Sequence, residues 1–415
     1  MINERFLRMQ PSIGLMLLAF LMSILLSVLK QGGWISTEWL YLLVGRLDLS
    51  QVLLQGVLCL MLFAGSASVS IRDLRTWKWL ILGLAVGATL LGALLTGLLL
   101  SNTLSLFGIG FSLIYAVLFG ALIAPTDPIA ALAILKPLGL PKSLETVING
   151  ESLFNDGVGV VLFTVAMGII SGASQSGPVG AAGLFLREVL GGIGLGLAVG
   201  FITHQALMRS RSFTNHLLIT LATVTVGFGV AMQVEVSGPI AMVVAGIFVG
   251  NVTVPRIEEE TIHSIRDFWK GVDEVLNSLL FVMIGLLVVL VHNLEAAPLL
   301  VVVPAAIIVC IIARLLSVYL TVTALSLTPA LECRRLGLSG LLTWGGLRGG
   351  LALALALSLP DGLEKSLIIN MTFGVVVFSI LVQGASIGAI FNPAYLKQLL
   401  SDPDNPGRAT ASDPP

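Results

Sequence analysis

The stretch GESLFND at 150–156 places two acids, a hydroxyl and a carboxamide inside a run that is otherwise apolar. A charged side chain at bilayer depth costs at least about 2.5–3.5 kcal/mol on insertion scales, so such groups mark a functional site. Ser152 and Asp156 stand four apart and share one helical face, and Glu151 and Asn155 form a second such pair, turned by one residue. Asp156 is about nine residues from the start of the run near Val147, which at ~1.5 Å per residue brings it near the membrane midplane. PTDP at 125–128 supplies a second acid, Asp127, between two prolines. Each proline removes a backbone donor and disrupts the preceding helical turn, which frees carbonyls and amides around it. The Thr126 carbonyl and hydroxyl, the Ser152 hydroxyl and the Asp127 and Asp156 carboxylates are hard oxygen ligands, suited to Na⁺, Li⁺ or K⁺ and not to soft metals. A midplane aspartate cannot stay charged and alone. It must take either a proton or a cation, and competition between those two is the condition for exchanging one for the other.

The elements that hold such a set must be membrane helices. The chain has 415 residues, of which 56% are hydrophobic and only 11% charged. An ordinary soluble domain carries about 25% charged residues. Apolar runs long enough to cross a ~30 Å hydrocarbon core recur along the length. They do not alternate polar and apolar as barrel strands do. The fold class expected is therefore an all-α polytopic membrane protein. The three cysteines, Cys59, Cys310 and Cys333, lack metal-site spacing. The four histidines, His204, His216, His263 and His292, lie at span ends, where solvated positions are expected. Nothing implies a bound cofactor or a nucleic-acid partner. No Ser-His or paired-Asp arrangement supports an intramembrane hydrolase, so the chain does not read as an enzyme.

About thirteen spans are expected. They lie near 13–29, 35–47, 51–69, 78–100, 105–138, 147–170, 181–206, 215–233, 237–251, 270–292, 298–326, 337–359 and 368–391. The first, Ile13 to Leu29, is longer than a signal-peptide core and lacks an A-x-A site, so it reads as a membrane helix. RIEEETIH at 256–263 reads as a solvated loop helix, and residues 401–415 as a disordered tail following a transmembrane domain over 1–400. Alternate loops are rich in Lys and Arg: Arg72, Arg75 and Lys78; Lys136 and Lys142; Arg209 and Arg211; Arg256, Arg266 and Lys270; Arg334 and Arg335; and Lys397. The positive-inside rule makes that side, and the C-terminus, cytoplasmic in a multi-pass protein of the cell (inner) membrane. The side of the N-terminus depends on whether the short second span crosses.

Two spans are interrupted. The one at 105–138 is about 34 residues long, too long for one straight crossing, and PTDP divides it into two half-helices. The one at 337–359 contains WGGLRGG, four glycines in seven residues around Arg348. Each glycine weakens a helix by about 1 kcal/mol relative to alanine. A broken helix in each half of a chain points to a transporter site where two repeats meet.

PTDPIA, GESLFND and WGGLRGG, with LKPLGLPKSLETVING between the first two and ARLLSVY at 313–319, resemble the sodium/proton exchangers of the monovalent cation:proton antiporter 1 family, in its NhaP-like branch. The likeness extends over about 50–391. It implies the NhaA/NhaP-like antiporter fold: two inverted repeats with crossed broken helices, a mobile core subdomain, a fixed dimerisation subdomain and a homodimer. It implies roles too. Asp156 looks like the transport carboxylate that alternately carries cation and proton, with Asp127, Thr126 and Ser152 as its coordinating neighbours and Asn155 as their support. Glu151 looks like the ion-pair partner of Arg314. Arg348 looks like the charge that compensates the helix ends at the break. Relatives often carry an acid in a third-span LFE pattern, where this chain reads LMLFAGSASV with Ala64.

The function expected is Na⁺ (or Li⁺) for H⁺ exchange by alternating access. Because Asn155 cannot titrate, one-for-one, electroneutral exchange is expected. K⁺/H⁺ exchange on the same fold is the nearest alternative. A cation channel, and a membrane sensor with a vestigial site, are the alternatives from other classes. Each residue also has a plainer reading: Asp127 as a helix cap, Glu151 as half of a structural ion pair, and the glycines of 345–350 as helix-packing contacts.

Overall fold

The computed structural model describes residues 56–172, 177–210, 212–256, 259–287, 296–325, 335–393 and 395–396, with a few isolated positions in the first thirty. The expected spans at 13–29 and 35–47, His292, Cys333 and the 401–415 tail lie outside the described residues. All regular elements among the described residues are helical. In chain order they are α1 (Leu58–Ala67), α2 (Ile71–Thr76), α3 (Lys78–Leu106), α4 (Leu113–Ile123), α5 (Pro128–Leu135), α6 (Lys142–Ile170), α7 (Gly177–Arg209), α8 (Phe213–Gln233), α9 (Gly238–Phe248), α10 (Glu259–Leu287), α11 (Ala296–Leu325), α12 (Arg335–Trp344), α13 (Gly350–Leu357) and α14 (Leu363–Phe378). Six helical stretches among them are long and apolar enough to cross a membrane: Lys78–Leu106, Lys142–Ile170, Val179–Arg209, Phe213–Gln233, Leu300–Leu325 and Glu364–Ile390.

Both expected interruptions are present. α4 stops at Ile123 and α5 starts at Pro128, so the unwound link is Ala124–Asp127. α12 stops at Trp344 and α13 starts at Gly350, which leaves 345–349 outside any helix. The two links cross as an antiparallel pair, with the Asp127 amide donating to the Leu347 carbonyl at 2.6 Å. The link can approach α6 because Gly159 has no side chain. A Cβ there would sit 2.5 Å from the Pro125 ring.

Some features differ from the sequence expectation. Residues 259–263 are not a separate loop helix but the first turns of α10, whose exposed polar positions let one rod run from solvent into the bundle. His216 is buried, its Nε2 within 3.2 Å of the Leu207 carbonyl and 3.1 Å of the Ser210 carbonyl, and His204 reaches the Thr253 hydroxyl at 3.1 Å. A helix end offers unpaired carbonyls, so it can bury an imidazole as readily as expose one. Wider π turns occur at Gly83–Ala88, Val249–Thr253 and Ser379–Gly384. Such turns often sit beside functional groups, and Ser379 of the third accepts the Arg348 amide at 2.9 Å.

Apolar packing divides the bundle into two main bodies. The larger gathers Leu84, Leu100, Phe119, Leu135, Val318 and Met371, from α3–α6 and α11–α14. The smaller gathers Phe63, Val224, Met242, Val249 and Trp269, from α1 and α8–α10. α7 carries exposed Leu186, Leu190, Leu197 and Phe201 along its outer side.

Candidate functional site

The GESLFND segment lies in the first half of α6, and its two polar pairs point different ways. Glu151 and Asn155 face the larger body. Glu151 Oε1 accepts from Arg314 of α11 at 2.7 Å, and the two side chains are 3% and 5% exposed. The Asn155 amide divides its two hydrogens between Glu151 Oε1 at 3.0 Å and the Thr126 hydroxyl at 2.8 Å. Its Oδ1 accepts the Thr126 amide at 3.4 Å. Asn155 therefore ties the unwound link to the ion pair.

Ser152 and Asp156, about 100° round the helix, face a cavity of about 440 Å³ between the two packing bodies. Thr126, Asp127, Ser152 and Asp156 all line it, as do Gly349 and Gly350 from the second break. The Ser152 hydroxyl donates to the Thr126 carbonyl, which fixes the link against α6. Asp127 caps α5, with its Oδ1 accepting the Ile129 amide at 2.8 Å. Its half-exposed carboxylate still borders the cavity. Asp156 differs from both neighbours. Among the described residues no hydrogen bond or ion pair is made to its carboxylate, although Asp127 and Glu151 are near enough for their charges to act on it. One buried acid is thus paired, one is capping, and one is left open to the cavity.

The second break carries the compensating charge. The Arg348 guanidinium donates to the Ala124 carbonyl and, at 3.1 Å, to the Pro125 carbonyl. These carbonyls end α4, where orphan acceptors and the negative end of the helix dipole collect. Among the described residues, no three His, Cys, Asp or Glu side chains converge as a metal-chelating group.

The cavity runs from Asp156 to the end of the bundle that carries Asp73, Lys136 and Glu145. Lys136 and Glu145 pair there at 2.6 Å. Further polar lining residues escaped the sequence reading, among them Asn149, Asp273 and Asn277. Asn149 lies three and seven residues before Ser152 and Asp156, on the same helical face. Asp273 and Asn277 are four apart in α10, a spacing that marks a polar stripe on an otherwise apolar span. Ala64 does not line the cavity; it is buried in the smaller body beside Phe63 and Trp269.

The profile of the transmembrane sodium/hydrogen exchanger family matches residues 2–392. The chain is 40% identical over 407 residues to the Na⁺/H⁺ antiporter NhaP of Pseudomonas aeruginosa, covering 96% of this chain and 94% of that one. It is 35% identical to the Na⁺/H⁺ antiporter NhaH of Halobacillus dabanensis, over 80% of each chain. The fold is similar to that of the sodium proton antiporter MjNhaP1 of Methanocaldococcus jannaschii, with a TM-score of 0.69 and 20% identity over 94% of this chain and 98% of that one. With a family match over nearly its whole length and crossed broken helices around an open aspartate, the chain belongs to the sodium/hydrogen exchanger family.

Proposed function

We propose that the protein exchanges Na⁺ for H⁺ across the membrane, with Asp156 binding the two in turn. The observation that carries this reading is the open carboxylate of Asp156, which lines the cavity together with Asp127 and Ser152. In the low-dielectric interior a bare anion is costly. A proton or a cation each removes that cost, so each displaces the other. Asp127 and the oxygens of Thr126 and Ser152 complete a hard-ligand set for a small monovalent ion. Glu151 and Arg314 neutralise each other and stay out of the exchange, and Asn155 cannot titrate. With Asp127 held as the cap of α5, Asp156 is the one carboxylate that swaps its proton for the cation, and exchange is one-for-one and electroneutral.

Alternating access follows from the two packing bodies. The larger holds Asp127 and Asp156 and acts as the mobile core. The smaller, with α7 on its flank, acts as the fixed dimerisation part, and the apolar outer face of α7 suits a second copy or lipid. The cavity opens beside Asp73, Lys136 and Glu145. By the positive-inside rule that side is cytoplasmic, so the arrangement is inward-open, with the C-terminus inside the cell membrane.

The test is Na⁺-driven proton movement in everted vesicles, read with a pH dye for wild type and Asp156→Asn. Wild type should respond to Na⁺ and Li⁺ and the variant should not. In proteoliposomes, the rate should ignore an imposed membrane potential. Transport that survives Asp156→Asn, or wild-type uptake that moves no protons, would overturn the reading.

A further inference from the structure

One acid on the cavity wall has no part in this scheme. Asp273 lies midway along α10, one turn after Trp269, which anchors that helix in the smaller body. Asp127 and Asp156 border the larger body. Asp273 therefore faces them from across the junction, near enough to Asp127 for the two charges to interact. Among the described residues no ion pair holds Asp273; Lys270, one turn earlier, approaches Glu274 at 4.0 Å. One turn further on, Asn277 is 5% exposed and also lines the cavity. Its amide donates to the Asp273 carbonyl at 3.0 Å, and no donor among the described residues reaches its Oδ1. The side chain as a whole is buried, yet its oxygen is left open to the cavity. Beside two mutually repelling carboxylates it suits a cation.

Building on the exchange reading, we propose that Asp273 and the Asn277 side-chain oxygen form a second station for the transported monovalent cation, on the wall opposite Asp156. The station recruits the ion from the open cavity and passes it to Asp127 and Asp156. Because Asp273 and Asp127 belong to different packing bodies, movement of one body against the other changes the distance between them. The station therefore works on the cavity-facing side of the cycle and not on the other. It sets how well the ion is captured there; Asp156 alone sets whether exchange occurs.

The experiment measures the Na⁺ dependence of exchange from each face, in everted and right-side-out vesicles, for wild type, Asp273→Asn, Asp273→Glu, Asn277→Ala and Asp156→Asn. Size-exclusion profiles check that each variant folds. Loss of one short-range, partly screened charge contact should raise the KM for Na⁺ at the cavity face about tenfold. The maximal rate should stay within about twofold, as expected when binding is lost and chemistry is not. The KM at the opposite face should not move. Asp273→Glu should recover most of the affinity, and Asn277→Ala should show a smaller rise at the same face. A KM unchanged at the cavity face, raised equally at both faces, or accompanied by a matching fall in maximal rate overturns the station. If Asp156→Asn exchanges like wild type, the exchange reading beneath it fails as well, which separates the two failures.

Discussion

The Arg348 guanidinium, from the break between α12 and α13, is hydrogen-bonded to the Ala124 and Pro125 carbonyls at the break between α4 and α5. Its own amide is held by Ser379 of the third π turn at 2.9 Å. One side chain therefore spans the crossing and neutralises the end of α4, while its backbone is fixed independently.

Arg348→Ala removes the guanidinium but leaves the Ser379 contact. Two buried carbonyls then lose their donor, at a cost of about 1–3 kcal/mol for each unsatisfied group. The variant should unfold at a clearly lower temperature in detergent and lose transport. Arg348→Lys keeps the charge but not the planar fork, and should fall between the two. Thermal unfolding of the purified variants checks the order; an unshifted Arg348→Ala would show that the crossing is held by backbone contacts alone.

Glu151 and Arg314 behave as one unit. Removing one partner leaves an uncompensated buried charge, which costs about 3–5 kcal/mol, whereas replacing both by apolar groups is often near neutral. Glu151→Leu and Arg314→Met should each destabilise strongly, and the double variant should regain much of the loss. A double-mutant cycle on unfolding temperatures reads the coupling. Additive losses would show that the 2.7 Å contact contributes little.

How much of this arrangement the sequence discloses depends on the kind of signal. The break at 124–127 is legible because Pro125 and Pro128 act locally, and the one at 345–349 because Gly345, Gly346, Gly349 and Gly350 do. The separate facings of Ser152/Asp156 and Glu151/Asn155, about 100° apart, are legible from spacing alone, since a helix fixes them before any packing. What occupies the far wall of the cavity is not. Asp273 sits next to Glu274, which is exposed and paired with Lys270, and only the tertiary position of α10 turns one of these neighbouring acids toward the site and the other away. The π turns are similarly hidden. They arise from packing around ordinary apolar residues and have no composition of their own. The same holds for His216, whose burial depends on which carbonyls a helix end presents.

Asn155 has a second role besides being non-titratable. Its amide supplies two hydrogens, one to Glu151 and one to Thr126. Asp at this position supplies at most one, and when ionised it sets a second anion beside Glu151. Asn155→Asp should therefore lower the unfolding temperature, by the equivalent of about 1–3 kcal/mol for each donor lost. Asn155→Ala, which removes both donors without adding charge, should lose less than Asn155→Asp does at neutral pH. The reverse order in thermal unfolding would mean that the carboxamide contacts, and not charge balance, dominate at this position.

Gly159 tests whether the unwound link must lie flat on α6. A methyl there would meet the Pro125 ring at 2.5 Å. Neither partner has a flexible end to move, so the link must lift away. Overpacking of this kind typically costs about 1–3 kcal/mol. Lifting Pro125 also draws Thr126 from Ser152 and Asn155, which together hold its carbonyl, hydroxyl and amide. Gly159→Ala should thus lose transport as well as stability. Gly168, two to three turns along the same helix, is the control: a Cβ there meets nothing closer than 3.8 Å. Gly168→Ala should be neutral or stabilising by up to about 1 kcal/mol, because alanine is the better helix former. Equal transport by the two variants would show that the link tolerates displacement and that close packing on α6 does not set the geometry around Asp156.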